Sequence, residues 1–134
     1  MKGAMHMTKI EQALSSVIGE LAVTEAWAHQ DINRRNVTHY AESLKFRKRA
    51  VAAAMQHAAS VMTKPPEAYQ KIADEQGIDA AYAAQDKDLE AAVARLTSKE
   101  TKLWKKAIHG VVDLECLIDI IDGVRHRLRS RGEL

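Results

Sequence analysis

"DINRRN", residues 31–36, decides whether this chain folds back on itself or continues as a rod. It interrupts a stretch from Ile10 to Met62 that contains one glycine and no proline. One helix over that whole stretch would be roughly 80 Å long at about 1.5 Å per residue. The apolar residues argue against it. Before the hexapeptide, Ile10, Leu14, Val17, Leu21 and Ala28 recur at helical spacing. After it the stripe reads Val37, Ala41, Leu44, Val51, Met55, Ala58 and Met62. Continuing the first stripe in steps of three and four reaches positions 35, 38, 42 and 45. The second stripe is therefore displaced by one residue, about 100° around a helix. The hexapeptide is polar except for Ile32 and carries Asn33 and Asn36, both turn-prone. These features predict a tight break near 33–36 and an αα-hairpin. One long, phase-shifted coiled-coil helix is the alternative.

Outward from the hexapeptide, the boundaries follow from capping chemistry. "TKIE" at 8–11 has the capping-box pattern, with Thr8 as N-cap and Glu11 as its reciprocal partner. The first helix is expected over 8–33 and the second over 37–63. Lys64-Pro65-Pro66 stops the second, because proline cannot continue the hydrogen-bond ladder. A short connector helix is expected over 67–76, closed by Gly77, and another helix over 79–96 with Asp79 as N-cap. "TSKE" at 97–100 repeats the capping box and opens a helix over 98–130, with Gly132 as its C′ residue. In that helix Ala107, Leu114, Ile121 and Leu128 share one heptad position, and Leu103, Gly110, Leu117 and Val124 another. Val111, Val112, Ile118 and Ile120 widen the stripe, so the helix is expected to bury itself against more than one neighbour.

The expected fold is all-α: a bundle of about four main helices with one connector, in a single domain over 8–132. Composition agrees, since 46% of the 134 residues are apolar but only 4% aromatic. Such a chain can bury a core, but it lacks the aromatic and β-branched content that strands favour. Residues 1–7, "MKGAMHM", are expected to be disordered or expression-derived. No apolar run reaches the roughly 18 residues of a membrane span, and the start lacks the apolar region of a signal peptide. A cytoplasmic location with no membrane partner is the expectation. The single cysteine, Cys116, excludes a disulfide within the chain and any CxxC metal site; it is expected to be a small buried apolar residue.

Net charge is only +2, yet it is unevenly spread. Residues 34–64 carry Arg34, Arg35, Lys45, Arg47, Lys48, Arg49 and Lys64 against Glu42 alone, while residues 65–96 are dominated by acid. Either the basic helix is neutralised by acidic neighbours in the bundle, or it forms a surface for phosphate backbones. "KFRKR" at 45–49 and the tail arginines Arg125, Arg127, Arg129 and Arg131 are the nucleic-acid candidates. Phe46 is the one ring in the run, so base stacking has little support there. In the heptad frame the tail arginines flank Val124 and Leu128, at a helix end that favours cations.

Chemistry-bearing patterns are sparse. Glu25/His29 and Asp122/His126 are spaced i, i+4 and could ligate a metal if they faced each other. Carboxylate-bridged di-iron bundles use Glu-x-x-His instead, which is absent, so no metal or cofactor is expected. "IGELA" at 18–22 with "DLECLIDIID" at 113–122 resembles the acidic helices of all-α nucleotide pyrophosphohydrolases of the MazG type. That resemblance implies magnesium held by an ExxE pair and an ExxD pair. Here Glu20 and Glu25 are five apart, Glu115 and Asp119 four apart, and some 90 residues separate the two groups, so the activity does not carry over. Arg34-x4-His39 resembles the motif of helical HEPN-type ribonucleases, which implies polarisation of an RNA backbone. His57, amid Ala and Met, reads as a core-edge histidine. No phosphate loop, nucleophile elbow or catalytic triad is present, and no catalytic residue is expected.

The function expected is therefore a non-catalytic helical interaction or assembly module, such as an adaptor, complex subunit or inhibitor of a bacterial or phage system. It would act on a protein partner or as a homo-oligomer. Leu114, Leu117, Ile118, Ile121, Val124 and Leu128 are its expected interface. The alternative is a nucleic-acid-associated protein using 34–49 and the tail, and the third is a small metal-dependent hydrolase or nuclease.

Overall fold

The computed structural model describes the backbone of residues 6–34 and 37–133, and the side chains of 6–30 and 44–133. These form five helices and no strand: α1 Lys9–Arg34, α2 Val37–Met62, α3 Pro66–Gln76, α4 Ile78–Ala94 and α5 Ser98–Ser130. The all-α bundle expected from the sequence is what forms. α1 and α2 pack extensively on each other, which a single rod could not do. The residues 35–36 that join them lie outside the described set.

Two apolar clusters make the core, and both draw on α1, α2 and α5. The larger holds Leu14, Val17, Leu21, Val51, Ala58, Ala107 and Leu114, and the smaller Ala28, Leu44 and Ile121. Their order along each helix sets the directions. α5 runs parallel to α1, since Thr8 meets Glu100 at one end and Ala28 packs with Ile121 at the other. α2 runs antiparallel to both. Between α1 and α5, Gly110 lets the helices close: a Cβ there would lie 2.8 Å from Leu21 Cδ1.

A parallel α5 needs a connection that returns to the end where α2 stops, and the α3–α4 hairpin supplies it. Pro66 opens α3 at a position where its missing N–H costs nothing. Gly77, at φ 100°, turns the chain directly into α4. Asp79 consequently sits inside the first turn of α4 and is not its N-cap; Gly77 takes that place. Tyr69 Oη donates to Asp88 Oδ2 at 2.9 Å, tying α3 to α4. Lys64 Nζ, 3.5 Å from the same carboxylate, ties the end of α2 to them.

The N-termini of α1 and α5 are capped jointly. In α5 the box closes as expected: Glu100 N–H donates to Thr97 Oγ1 at 3.2 Å, and Thr97 N–H donates to Glu100 Oε1 at 3.0 Å. In α1 half of the expected box forms, with Glu11 N–H donating to Thr8 Oγ1 at 3.1 Å. The Thr8 hydroxyl then donates across to Glu100 Oε2 at 2.8 Å. Glu11 turns its Oε2 towards Lys99 Nζ, 3.4 Å away, as a charge contact without hydrogen-bond geometry. Desolvated at the junction, Glu100 still has its carboxyl held below the usual carboxylate range, first by the Thr97 backbone N–H and then by the Thr8 hydroxyl. The far end of α5 closes in a Schellman motif. Glu133 N–H donates to the Leu128 carbonyl and Gly132 N–H to that of Arg129, with Gly132 at φ 72°.

Candidate functional site

The six apolar residues expected to form an interface are mostly used inside the chain. Leu114 and Ile121 are each 2% exposed, in the two core clusters. Leu117, Ile118, Val124 and Leu128 are half-buried against those clusters. The stripe was wide because α5 meets both α1 and α2. It widens further than these two helices need, and the excess is the candidate site. Ile108, Val112, Cys116 and Ile120 succeed one another at four-residue steps on the side of α5 away from Leu114. All four are exposed, Val112 to 55% and Ile120 to 51%. Cys116 is thus not the buried residue expected: two positions from Leu114 is about 200° around the helix. The ridge is roughly 18 Å long. Lys102, Lys105 and Lys106 precede its middle and Asp119 and Asp122 follow it, all exposed. Its signal was present in the sequence as a four-step apolar series, hidden by the stronger heptad series beside it.

The basic candidates do not gather on one surface. Arg47 lies over the Trp27 ring of α1, 4.7 Å from its centroid. Lys48 faces the other way and binds Glu115 Oε2 of α5 at 3.1 Å. Lys45 and Lys48 line a small cavity of about 140 Å³ between α2 and α5, beside Asp122. Arg49 turns outward over Phe46, which is 72% exposed. Arg125 is half-buried on the core-facing side of α5, its Nε buried without a hydrogen-bond partner. Arg127, Arg129 and Arg131 are exposed around the last turn. The side chains of Arg34, Arg35 and His39 lie outside the described residues.

No three His, Cys, Asp or Glu side chains among the described residues converge as metal ligands. His29, Asp122 and His126 are exposed. His57 is exposed as well and lines a cleft of about 700 Å³ between α2 and the α3–α4 hairpin, with Gln56, Ser60, Tyr69, Ile78 and Tyr82. Its lining is of amide, hydroxyl and aromatic groups with one cation, Lys64, whose ammonium lies 3.5 Å from Asp88 Oδ2. No described helix is long and apolar enough to cross a membrane. Comparison with protein-family models, curated proteins and solved structures finds no match.

Proposed function

We propose that the protein is a non-catalytic helical assembly module that binds a protein partner through the outer ridge of α5. The observation that carries this reading is the run of exposed apolar side chains at Ile108, Val112, Cys116 and Ile120 on a helix whose opposite face is fully engaged in the core. Exposed apolar side chains scattered singly are ordinary, but a contiguous row with polar residues on both sides is how helical surfaces meet a partner. The ridge supplies the apolar centre, and the lysines and aspartates around it supply the polar rim. The nucleic-acid alternative draws less support, because Arg47 and Lys48 are engaged with Trp27 and Glu115.

The test compares the full chain with Val112→Glu by sedimentation and by co-purification from cells. Val112 is exposed, so the helical circular dichroism should be unchanged. The expected outcome is an assembly, with itself or with another protein, that the substitution abolishes. Two monomers with identical co-purifying material would sink the reading.

A further inference from the structure

We infer that the cleft between α2 and the α3–α4 hairpin is a binding site for an uncharged planar heterocycle that carries a hydrogen-bond donor and acceptor side by side. The inference stands apart from the assembly reading, because the cleft shares no residue with the α5 ridge. Its volume, about 700 Å³, is within the range of small-molecule sites. The α2 wall is the helix face turned away from the core: Ala53 and Ser60 each lie two positions, about 200°, from the buried Val51 and Ala58. Alanines at 53, 59, 73 and 81 belong to both walls, and their short side chains leave the space between the helices open.

Charge sets the class of ligand. No Asp or Glu lines the cleft, so a cation would meet no counter-charge there. Lys64 is the one Lys or Arg in the lining, and its ammonium lies 3.5 Å from Asp88 Oδ2, so an anion would compete with that carboxylate. Taking an unpaired charge out of water is costly, which leaves neutral ligands. The hydrogen-bonding groups divide in two. Thr63, Tyr69 and Gln70 are engaged inside the protein: Thr63 Oγ1 donates to the Ala59 carbonyl at 2.8 Å, Tyr69 Oη to Asp88, and Gln70 Nε2 to Asp74 Oδ1 at 2.9 Å. Gln56, Ser60 and Gln85 make no side-chain hydrogen bond among the described residues. A carboxamide presents a donor and an acceptor in one plane, which matches a ring edge carrying the complementary pair. Tyr82, 59% exposed, lies three positions before Gln85 on α4 and four after Ile78, 61% exposed, so an aromatic face stands beside a carboxamide on one side of the helix. A ring stacked on Tyr82 covers apolar surface that the fold leaves in water.

The experiment is titration of the isotopically labelled full chain with adenosine, cytidine and nicotinamide, read from backbone amide NMR shifts. Saturable shifts centred on residues 56–60 and 78–85 are expected with at least one of the three. Tyr82→Ala should weaken that binding about tenfold, and Tyr82→Phe should retain it, because the ring and not the hydroxyl carries the stacking. Gln56→Leu/Gln85→Leu should also weaken it about tenfold, by removing both carboxamides. All three side chains are exposed, so the helical circular dichroism should be unchanged. The monophosphate of either nucleoside should bind no more tightly than the nucleoside itself, since Lys64 is already paired. Absence of cleft-centred shifts with all three probes overturns the inference. So does a monophosphate that binds more tightly than its nucleoside, or an affinity unaltered by Tyr82→Ala or by the double glutamine substitution. None of these outcomes bears on the α5 ridge, whose assembly is read separately through Val112→Glu.

Discussion

Gly110 and Glu100 show how single residues set the fit of α1 to α5. A Cβ on Gly110 would meet Leu21 Cδ1 at 2.8 Å, and Leu21 is itself 3% exposed, so its side chain has little room to yield. Alanine gains about 1 kcal/mol in helix propensity over glycine, but overpacking a core contact costs about 1–3 kcal/mol. Gly110→Ala is therefore expected to destabilise the fold by about 1 kcal/mol in urea denaturation. Gly19→Ala, with nothing within 4 Å of the new Cβ, is expected to stabilise it by about 0.5–1 kcal/mol. A Gly110→Ala chain as stable as Gly19→Ala would show that the two helices are not in close contact. At Glu100 the prediction concerns pH. Its folded pKa is depressed by the Thr97 N–H and the Thr8 hydroxyl, so it binds fewer protons folded than unfolded. Its contribution is in full force above the unfolded value of about 4.3 and is lost as pH falls through the lower folded value. Stability measured from pH 6 to pH 2 should fall across that window, and Glu100→Gln should flatten that part of the profile. An unaltered acid limb in Glu100→Gln would assign the acid sensitivity to other carboxylates.

At the scale of elements, the helix ends were legible because their causes are local. Thr97 with Glu100, Pro65-Pro66, Gly77 and Gly132 act through bonds within four or five residues. Asp79 shows the limit. A good N-cap residue was displaced because Gly77 at φ 100° ends α3 and begins α4 at once, leaving no linker for Asp79 to cap. Thr97→Ala removes the hydroxyl that caps α5 and should cost about 1 kcal/mol. Thr8→Ala should also cost about 1 kcal/mol, although Thr8 lies in a different helix, because its hydroxyl accepts from Glu11 and donates to Glu100. Joint capping makes the two losses non-additive. A double-mutant cycle on chemical denaturation is expected to give a coupling of at least about 0.5 kcal/mol, and simple additivity would mean that the two caps act separately.

Across the whole molecule, charge joins helices remote in sequence. The three ion pairs among the described residues are Lys48–Glu115, Lys64–Asp88 and Lys99–Glu11, and each links different elements. Lys48 and Glu115 are both about half exposed, so their pair contributes at most about 1 kcal/mol. Its value is in choosing neighbours, since it places the basic α2 against the acidic middle of α5. Lys48→Glu should destabilise the bundle and the Lys48→Glu/Glu115→Lys double reversal should recover most of the loss; absence of recovery would remove the pair from the account. Arg47→Ala removes the cation from the Trp27 ring and should cost about 0.5–1 kcal/mol, read by thermal denaturation.

Five helices and most of their ends could be read from residues 8–132, because periodicity, prolines and caps are properties of neighbouring residues. That α1 and α2 are separate helices packed on each other was legible for the same reason, as a 100° slip between two stripes. The parallel pairing of α1 with α5 was not, since it depends on Leu21 closing over Gly110, 89 positions later, and on Thr8 reaching Glu100. Nor was the face of α5 left open. Leu114 and Ile120 are equally apolar in the sequence, and only the positions of α1 and α2 make one of them core and the other surface. Packing between distant segments selects among faces that local chemistry leaves equivalent.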